Sequence, residues 1–218
     1  MTGPTSGPDA VAAIVPLDAA ARERLEAYAA LVRRWQPVKN LVAPSTLPEL
    51  WRRHMADSAQ VVAVMPDAFR WLDLGSGAGF PGLVTAILNA DRPDARVTLV
   101  ESNGRKAAFL MTVARELALP VTVISNRIES VAGRFQELGP VDAISARALA
   151  PLSKLLGYAE PWLIAGVPGV FHKGQDFASE IPEAAQSWAF DLLEHQSRID
   201  RDSRIAVVTA VSRLADSP

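Results

Sequence analysis

The run Trp71-Leu72-Asp73-Leu74-Gly75-Ser76-Gly77-Ala78-Gly79-Phe80-Pro81-Gly82 constrains the fold more than any other stretch of this chain. It opens apolar, as a strand buried in a sheet does. It then carries one acid, Asp73, followed by four glycines within eight residues. Glycine adopts φ > 0 and lets another group approach the backbone closely. Apolar periodicity resumes after Pro81, at Leu83, Val84, Ile87 and Leu88, with the spacing of a helix. A proline fits the first helical turn, where its missing N–H is not needed. Strand, glycine loop and helix in this order form the phosphate- or nucleotide-cradling unit of Rossmann-like sheets.

The ligand is the next question. Gly77-Ala78-Gly79-Phe80-Pro81-Gly82 matches the Gly-x-Gly-x-x-Gly of dinucleotide sites. Asp73 argues the other way. A carboxylate at the end of the first strand repels a pyrophosphate, and it suits a ligand that carries an ammonium and a sulfonium, such as S-adenosylmethionine. Glu101 closes the second apolar run, Val97-Thr98-Leu99-Val100. An acid there accepts from both ribose hydroxyls, which NAD and S-adenosylmethionine share. Three readings stand at this point: S-adenosylmethionine, which Asp73 favours; NAD; and a glycine turn that is purely structural.

At 218 residues, one domain with an appendage is expected. A hydrophobic fraction of 49% and a charged fraction of 21% are those of a soluble globular protein. No apolar run approaches the ~20 residues of a membrane span, and the first residues lack the basic-then-apolar pattern of a secretory signal. A cytoplasmic, monomeric protein without membrane contact is expected. The absence of cysteine excludes disulfides, thiolate zinc sites and a cysteine nucleophile. His54, His172 and His195 lie far apart and have no metal-site spacing, so no metal is expected. The net charge of −2 argues against a globally basic nucleic-acid binder. A local patch is compatible with it: residues 20–58 hold seven Arg and Lys against four Asp and Glu.

Taken in order, residues 1–16 are rich in Gly, Pro, Ser and Ala and read as a mobile tail. Residues 17–66 read as a helical cap. Leu17, Ala21, Leu25, Tyr28, Val32 and Trp35 mark its first helix, with Asp18 as N-cap and Pro37 as the stop. Thr46 and Glu49 have capping-box spacing and announce a second helix that ends at Pro66. From residue 67 to 218, strands and helices alternate. Strands are expected at 69–74, 96–100, 121–125, 141–145 and 169–172. Helices are expected at 81–89, 104–118, 128–138, 150–163 and 177–188. Two further β runs, 191–196 and 204–211, flank a hairpin turn at Asp200-Arg201-Asp202-Ser203. The pattern implies an α/β fold, a parallel sheet with helices on both faces and one antiparallel strand at the end of the chain.

In such sheets the ligand lies beyond the carboxyl ends of the strands. The candidates are therefore Asp73, Glu101, the run from Asn126 to Glu129, and Ser145-Ala146-Arg147. The N–H groups of the helix beginning at Pro81 favour a carboxylate, and Phe80 and Ile128 offer apolar walls. The absences narrow a methyl acceptor. Methylation at pyrimidine C5 usually needs a cysteine. Methylation of the exocyclic amine of adenine usually goes with Asn/Asp-Pro-Pro-aromatic after the fourth strand, where this chain has Ser145-Ala146-Arg147-Ala148. An acceptor with a free lone pair, such as guanine N7, needs only positioning, ~3–3.5 Å from the methyl carbon.

These pieces together resemble the bacterial RsmG family, also called GidB, from about Leu25 to His172. The resemblance is carried by Trp35 with Asn40-Leu41, Arg53-His54, Asp57-Ser58, the run Asp73 to Gly82, and Glu101-Ser102 with Arg105-Lys106 and Phe109-Leu110. It continues through Arg127-Ile128-Glu129, Ser145-Ala146-Arg147-Ala148 and Lys173-Gly174. It implies a Rossmann-like class I methyltransferase with a mostly parallel seven-stranded sheet and an antiparallel terminal strand. It implies transfer from S-adenosylmethionine to N7 of a guanine in the 530 loop of 16S ribosomal RNA, within the small ribosomal subunit or its assembly intermediate. It implies cofactor contacts from Gly75, Phe80, Ile128, Glu129 and Arg147; motif logic adds Asp73, Gly77 and Glu101. His54 and Asp57, at i and i+3 on one helix face, and Lys173 are candidates for the acceptor side. Arg33, Arg34, Lys39, Arg52, Arg53, Arg105 and Lys106, with Lys173, are candidates for gripping RNA phosphates. The chain departs from the family pattern at Gln36, Val42 and His172. A small-molecule methyltransferase, or a non-catalytic module that binds S-adenosylmethionine or a nucleotide, are the alternatives.

Overall fold

In the computed structural model, which describes residues 7–214, the strand before the glycine loop is β1 (Arg70–Leu74), inside a seven-stranded sheet. β2 (Arg96–Val100) and β3 (Val121–Ile124) follow on one side of it. β4 (Ala143–Arg147) and β5 (Gly169–Lys173) follow on the other, all parallel. β7 (Arg204–Arg213) alone runs against its neighbours, between β5 and the outer β6 (Trp188–Gln196). The order is β3-β2-β1-β4-β5-β7-β6, and the sheet is parallel with one antiparallel strand, as the alternating pattern and the terminal hairpin imply. The chain leaves β1 toward β2 and later returns to its opposite side with β4. That reversal opens a crevice at the carboxyl ends of both strands.

Period-two alternation along β1 feeds two cores. Trp71 packs with the helices α2 (Ala19–Lys39), α3 (Asp57–Val64), α4 (Gly82–Asn89) and α5 (Gly104–Glu116), among Leu25, Tyr28, Leu83, Ile87 and Phe109. Leu72 and Leu74 face the helices α6 (Ile128–Ala132), α7 (Leu152–Ile164) and α8 (Phe177–Ala184), among Leu156, Trp162, Phe171 and Phe177. Side chains alternate across a strand, so one register fixes both layers.

Five local expectations need correction. The expected mobile tail lies outside the described residues at 1–6. Beyond it, α1 (Asp9–Ala12) buries Ala10 and Val11, with Ile14 and Val15 packed just after. α2 starts at the Asp18 cap as expected, whose carboxylate accepts from Ala21 N at 2.7 Å. It absorbs Pro37 and ends at Asn40, which adopts φ +47°. The Thr46–Glu49 capping box does not form. Thr46 Oγ1 donates to Ala43 O at 2.8 Å, and the segment is a 3₁₀ turn (Pro44–Glu49) followed by a widened, π-type turn (Leu50–Ala56) that runs into α3. The last helix stops at Ala184 and β6 begins at Trp188, where the indole is buried. The helix expected over 128–138 likewise closes at Ala132, with a separate 3₁₀ turn (Phe135–Leu138) beyond it.

Among the described residues, no helix is long and apolar enough to cross a membrane.

Candidate active site

The glycine loop is held from beneath by two buried acids. Glu101, at the end of β2, accepts from Gly77 N and from Asn103 N, both at 2.7 Å. Asp73 accepts from Ser145 Oγ of β4 at 2.7 Å, and its other oxygen is buried against the backbone of Gly82, whose N–H favours the charged carboxylate. Ser76 N donates to Val100 O, and the Tyr28 hydroxyl donates to Ala78 O at 2.6 Å. Both carboxylates expected to face a ligand therefore engage the protein's own donors, and neither lines the cavity above the loop.

That cavity, of about 450 Å³, is walled by Gly75 to Ala78, Phe80, the turns around Thr46 and His54, Lys106, Arg147 and the β6–β7 hairpin at Ile199 and Asp200. Its size suits a small ligand. Arg147 closes the carboxyl end of β4, which runs on past the expected end of that strand. Its guanidinium donates to Arg53 O (3.1 Å), Asp57 Oδ2 (3.2 Å) and His54 Nδ1 (2.9 Å), and lies 5.2 Å from the centre of the Phe80 ring. A guanidinium only donates, so Nδ1 of His54 carries no proton. Nε2 then holds the hydrogen and gives it to Thr46 Oγ1 at 2.8 Å. The ring also packs on Phe80, with centroids 5.1 Å apart. Burial, with the adjacent Arg147 cation second, pushes His54 down to about 4.

His172 lies behind Asp57. Its Nε2 meets Asp57 O at 2.9 Å, and burial holds it below its ordinary value. Gln60 Nε2 donates to Asp57 Oδ1 at 2.9 Å. Neither His54 nor Asp57 is thus a free base; both are committed to orienting Arg147 and the turn it grips. Two departures from the family pattern find a joint use. Gln36 bonds the backbone of Val42 in both directions, at 2.7 and 3.0 Å, and so fixes the connector at the cavity wall.

Gly75, Gly77, Phe80, Arg147, His54 and Asp57 all line this one cavity. Ile128 turns into the core and Glu129 is exposed on the first turn of α6; neither lines this cavity. Lys173 is buried and paired with Glu180 at 2.5 Å, in a neighbouring cavity beyond Arg147, so it is not available to an RNA phosphate. Arg34 pairs with Glu116. Sequence reasoning missed Thr46, Ile199 and the acceptors of Arg147. The Thr46 hydroxyl was legible only as a cap, and nothing local ties residue 199 to residue 54.

The buried titratable groups have opposite pH signatures. His54 lies at about 4 in the fold against an ordinary 6.5, so between these values the unfolded chain binds the extra proton. Its contribution to stability is full above the ordinary value and is lost as pH falls toward about 4. Burial raises Asp73 from 3.8 to about 6. Here the folded chain binds the extra proton, and stability falls as pH rises across that interval. Asp73→Asn removes the second slope alone. Its urea midpoint is expected to climb more steeply with pH over this window than that of the unsubstituted protein. Parallel curves would show Asp73 titrating as an ordinary carboxylate.

A profile of the family described as GidB, rRNA small subunit methyltransferase G, matches residues 21–203. Ribosomal RNA small subunit methyltransferase G of Methylorubrum extorquens is 50% identical over 190 residues, 87% of this chain and 89% of that one. The protein of the same name from Rhizobium etli is 49% identical over 193 residues, 88% and 93% of the two chains. The fold is shared with an O-methyltransferase from Bacillus cereus in complex with SAH (TM-score 0.56, 15% identity, 92% of this chain and 96% of that one). It is shared also with the O-methyltransferase TomG from Streptomyces achromogenes (TM-score 0.57, 14% identity, 91% and 93%). With the family's pattern running through most of its length, this chain belongs to the GidB family of rRNA small subunit methyltransferases G.

Proposed function

We propose that this protein transfers the methyl group of S-adenosylmethionine to N7 of a guanine in the 530 loop of 16S ribosomal RNA, in the small subunit or its assembly intermediate. One observation carries this reading: an open glycine cradle faces an acceptor side whose histidine and aspartate are already hydrogen-bonded. Gly77 has φ +57°, and a side chain there meets nothing nearer than Gly75 O at 3.9 Å. Bare backbone at a cavity wall lets a ligand lie against the loop. Gly75, Gly77, Phe80 and Arg147 are the residues placed to hold S-adenosylmethionine, with Asp73 and Glu101 keeping the loop in shape. When bound, it supplies a methyl group on a positively charged sulfur.

A nucleophile that must lose a proton needs a base within reach. N7 of guanine would take the methyl group with its own lone pair as the methyl carbon–sulfur bond breaks, the positive charge passing from sulfur to the base and the thioether leaving neutral, so no proton has to be removed. Positioning then does the catalytic work, and Arg147, held at three points, supplies a fixed wall for it. The base reaches the cavity from a splayed or flipped nucleotide, as single-stranded RNA recognition generally requires.

The test is incubation with labelled S-adenosylmethionine and 30S particles from a strain lacking the modification, followed by chemical cleavage at N7-methylguanine. Label is expected at one guanine of the 530 loop. Cofactor binding with no label on RNA overturns the reading, and turnover on a small molecule without ribosomal particles replaces it. Gly75 has φ +67°, and a side chain there would stand 2.6 Å from Leu149 Cδ1. Gly75→Asp is therefore expected to lose both cofactor binding and label, and retained binding would show that the pocket is misassigned.

A further inference from the structure

The turn between β6 and β7 is tied to the rest of the fold by five hydrogen bonds. Arg198 donates to Ala13 O and Ile14 O, just beyond α1. Gln60 of α3 bonds Ser197 Oγ at 3.2 Å and accepts from Arg198 N at 2.7 Å. Arg52 of the widened turn donates to Ile199 O. Between the hairpin and that turn runs a groove lined by Arg52, Arg53, Arg198 and Arg201, against Glu49 and Asp200. It is continuous with the active-site cavity, since Arg52, Arg53, Ile199 and Asp200 line both.

Four arginines stand against two acids in this groove, which leaves it positive. Arg198 binds backbone carbonyls, which leave its positive charge in place, and Glu49 is 3.7 Å from Arg52. The side chains of Arg53 and Arg201 are exposed, and among the described residues no hydrogen bond or ion pair holds them. In a chain of net charge −2, four guanidinium groups beside the cavity mouth are a local concentration. Guanidinium forks match phosphate oxygens, and a groove that leads into the cavity is where the strand flanking an inserted base has to pass.

We propose that this groove takes the sugar–phosphate backbone beside the target nucleotide, with Arg53 and Arg201 as the phosphate contacts. The proposal rests on the reading of the protein as an RNA methyltransferase. It leaves Arg34 and Lys173, both ion-paired, out of the RNA surface. The hairpin needs no ordering on binding, because Arg52, Gln60 and Arg198 already fix it.

The experiment measures affinity for unmodified 30S particles, and for a stem-loop RNA of the same sequence, across a salt series. Arg201→Ala is expected to weaken binding ~5–10-fold near 0.1 M salt and to lower the slope of log K against log salt by about one. Arg53→Ala,Arg201→Ala together is expected to lower it by about two. S-adenosylmethionine affinity of Arg201→Ala, measured by calorimetry, is expected to stay within about twofold, since the substitution changes only the charge of the groove. An unchanged slope overturns the groove assignment, as does binding to anionic lipid vesicles that depends on Arg201 while RNA binding does not. If the unsubstituted protein labels no RNA, the underlying reading fails instead, and the two failures are distinct.

Discussion

Arg147→Ala is expected to lower methyl transfer by at least ~10²-fold, the loss that a displacement of about 1 Å at a reacting centre produces. The guanidinium joins three segments: the widened turn through Arg53 O and His54, the start of α3 through Asp57, and the glycine loop through the Phe80 ring. Removing it leaves Asp57 Oδ2 and His54 Nδ1 part-buried without their donor, which costs about 1–3 kcal/mol per unsatisfied group. A second readout separates this from a general loss of structure. Burial and then the Arg147 cation hold His54 down at about 4, so removal of the cation alone moves the imidazole titration upward but short of the ordinary 6.5, which only loss of structure restores, and histidine ring NMR signals tell the two apart. Arg147→Lys keeps a charge but replaces a planar fork by a point donor, and it is expected to recover less than about a tenth of the lost rate. Wild-type turnover in Arg147→Ala would reduce the whole cluster to a structural tie.

Much of this arrangement was legible in the order of the residues alone. The strand–loop–helix unit at 70–89 and the alternation after it announced the sheet, because period-two and helical spacings are local properties. Arg147 was visible as a charged residue directly after an apolar strand, with no surface role to explain it. The misreadings have physical causes. Residues 1–16 look mobile by composition, yet Val11, Ile14 and Val15 carry helical spacing and are buried, with α1 packed on the widened turn and Arg198 bonded to the backbone just after it. Thr46 reads as a helix cap until its hydroxyl is seen bonded to Ala43 O and His54. The types and positions of Asp73 and Glu101 suit a cofactor, but the hydrogen bonds they make within the fold were not readable from either. Which face of its strand an acid occupies, and which backbone donors it meets there, depends on register with neighbours far away in sequence. The contribution of residues 198–203 to the site was beyond local reading for the same reason.

The glycines of the loop look alike in sequence and are separated by what surrounds them. Gly82→Ala is expected to destabilise the fold by about 2–3 kcal/mol, at the upper end of overpacking effects. A side-chain carbon at that position would stand 2.3 Å from Leu99 Cδ2, 2.6 Å from Asp73 Oδ2 and 2.9 Å from Asp73 Cβ. Leu99 and Asp73 are fully buried partners on adjacent strands, so neither has room to retreat. Gly82 therefore sets the distance of α4 from the sheet, and Asp73 is buried because nothing but backbone lies above it. Gly157→Ala in α7 is the matched control. There the added carbon meets Trp188 Cζ2 at an ordinary 3.8 Å, and a helical Gly→Ala change gains about 0.4–1 kcal/mol. Urea unfolding should thus move the two variants in opposite directions. Gly77→Ala tests the third case: open space around the new carbon and only the left-handed backbone to strain, about 1 kcal/mol. Its unfolding midpoint should fall less than that of Gly82→Ala, with the further loss in S-adenosylmethionine affinity. If Gly77→Ala unfolds as readily as Gly82→Ala while still binding the cofactor, the open face of the loop is not where the cofactor lies.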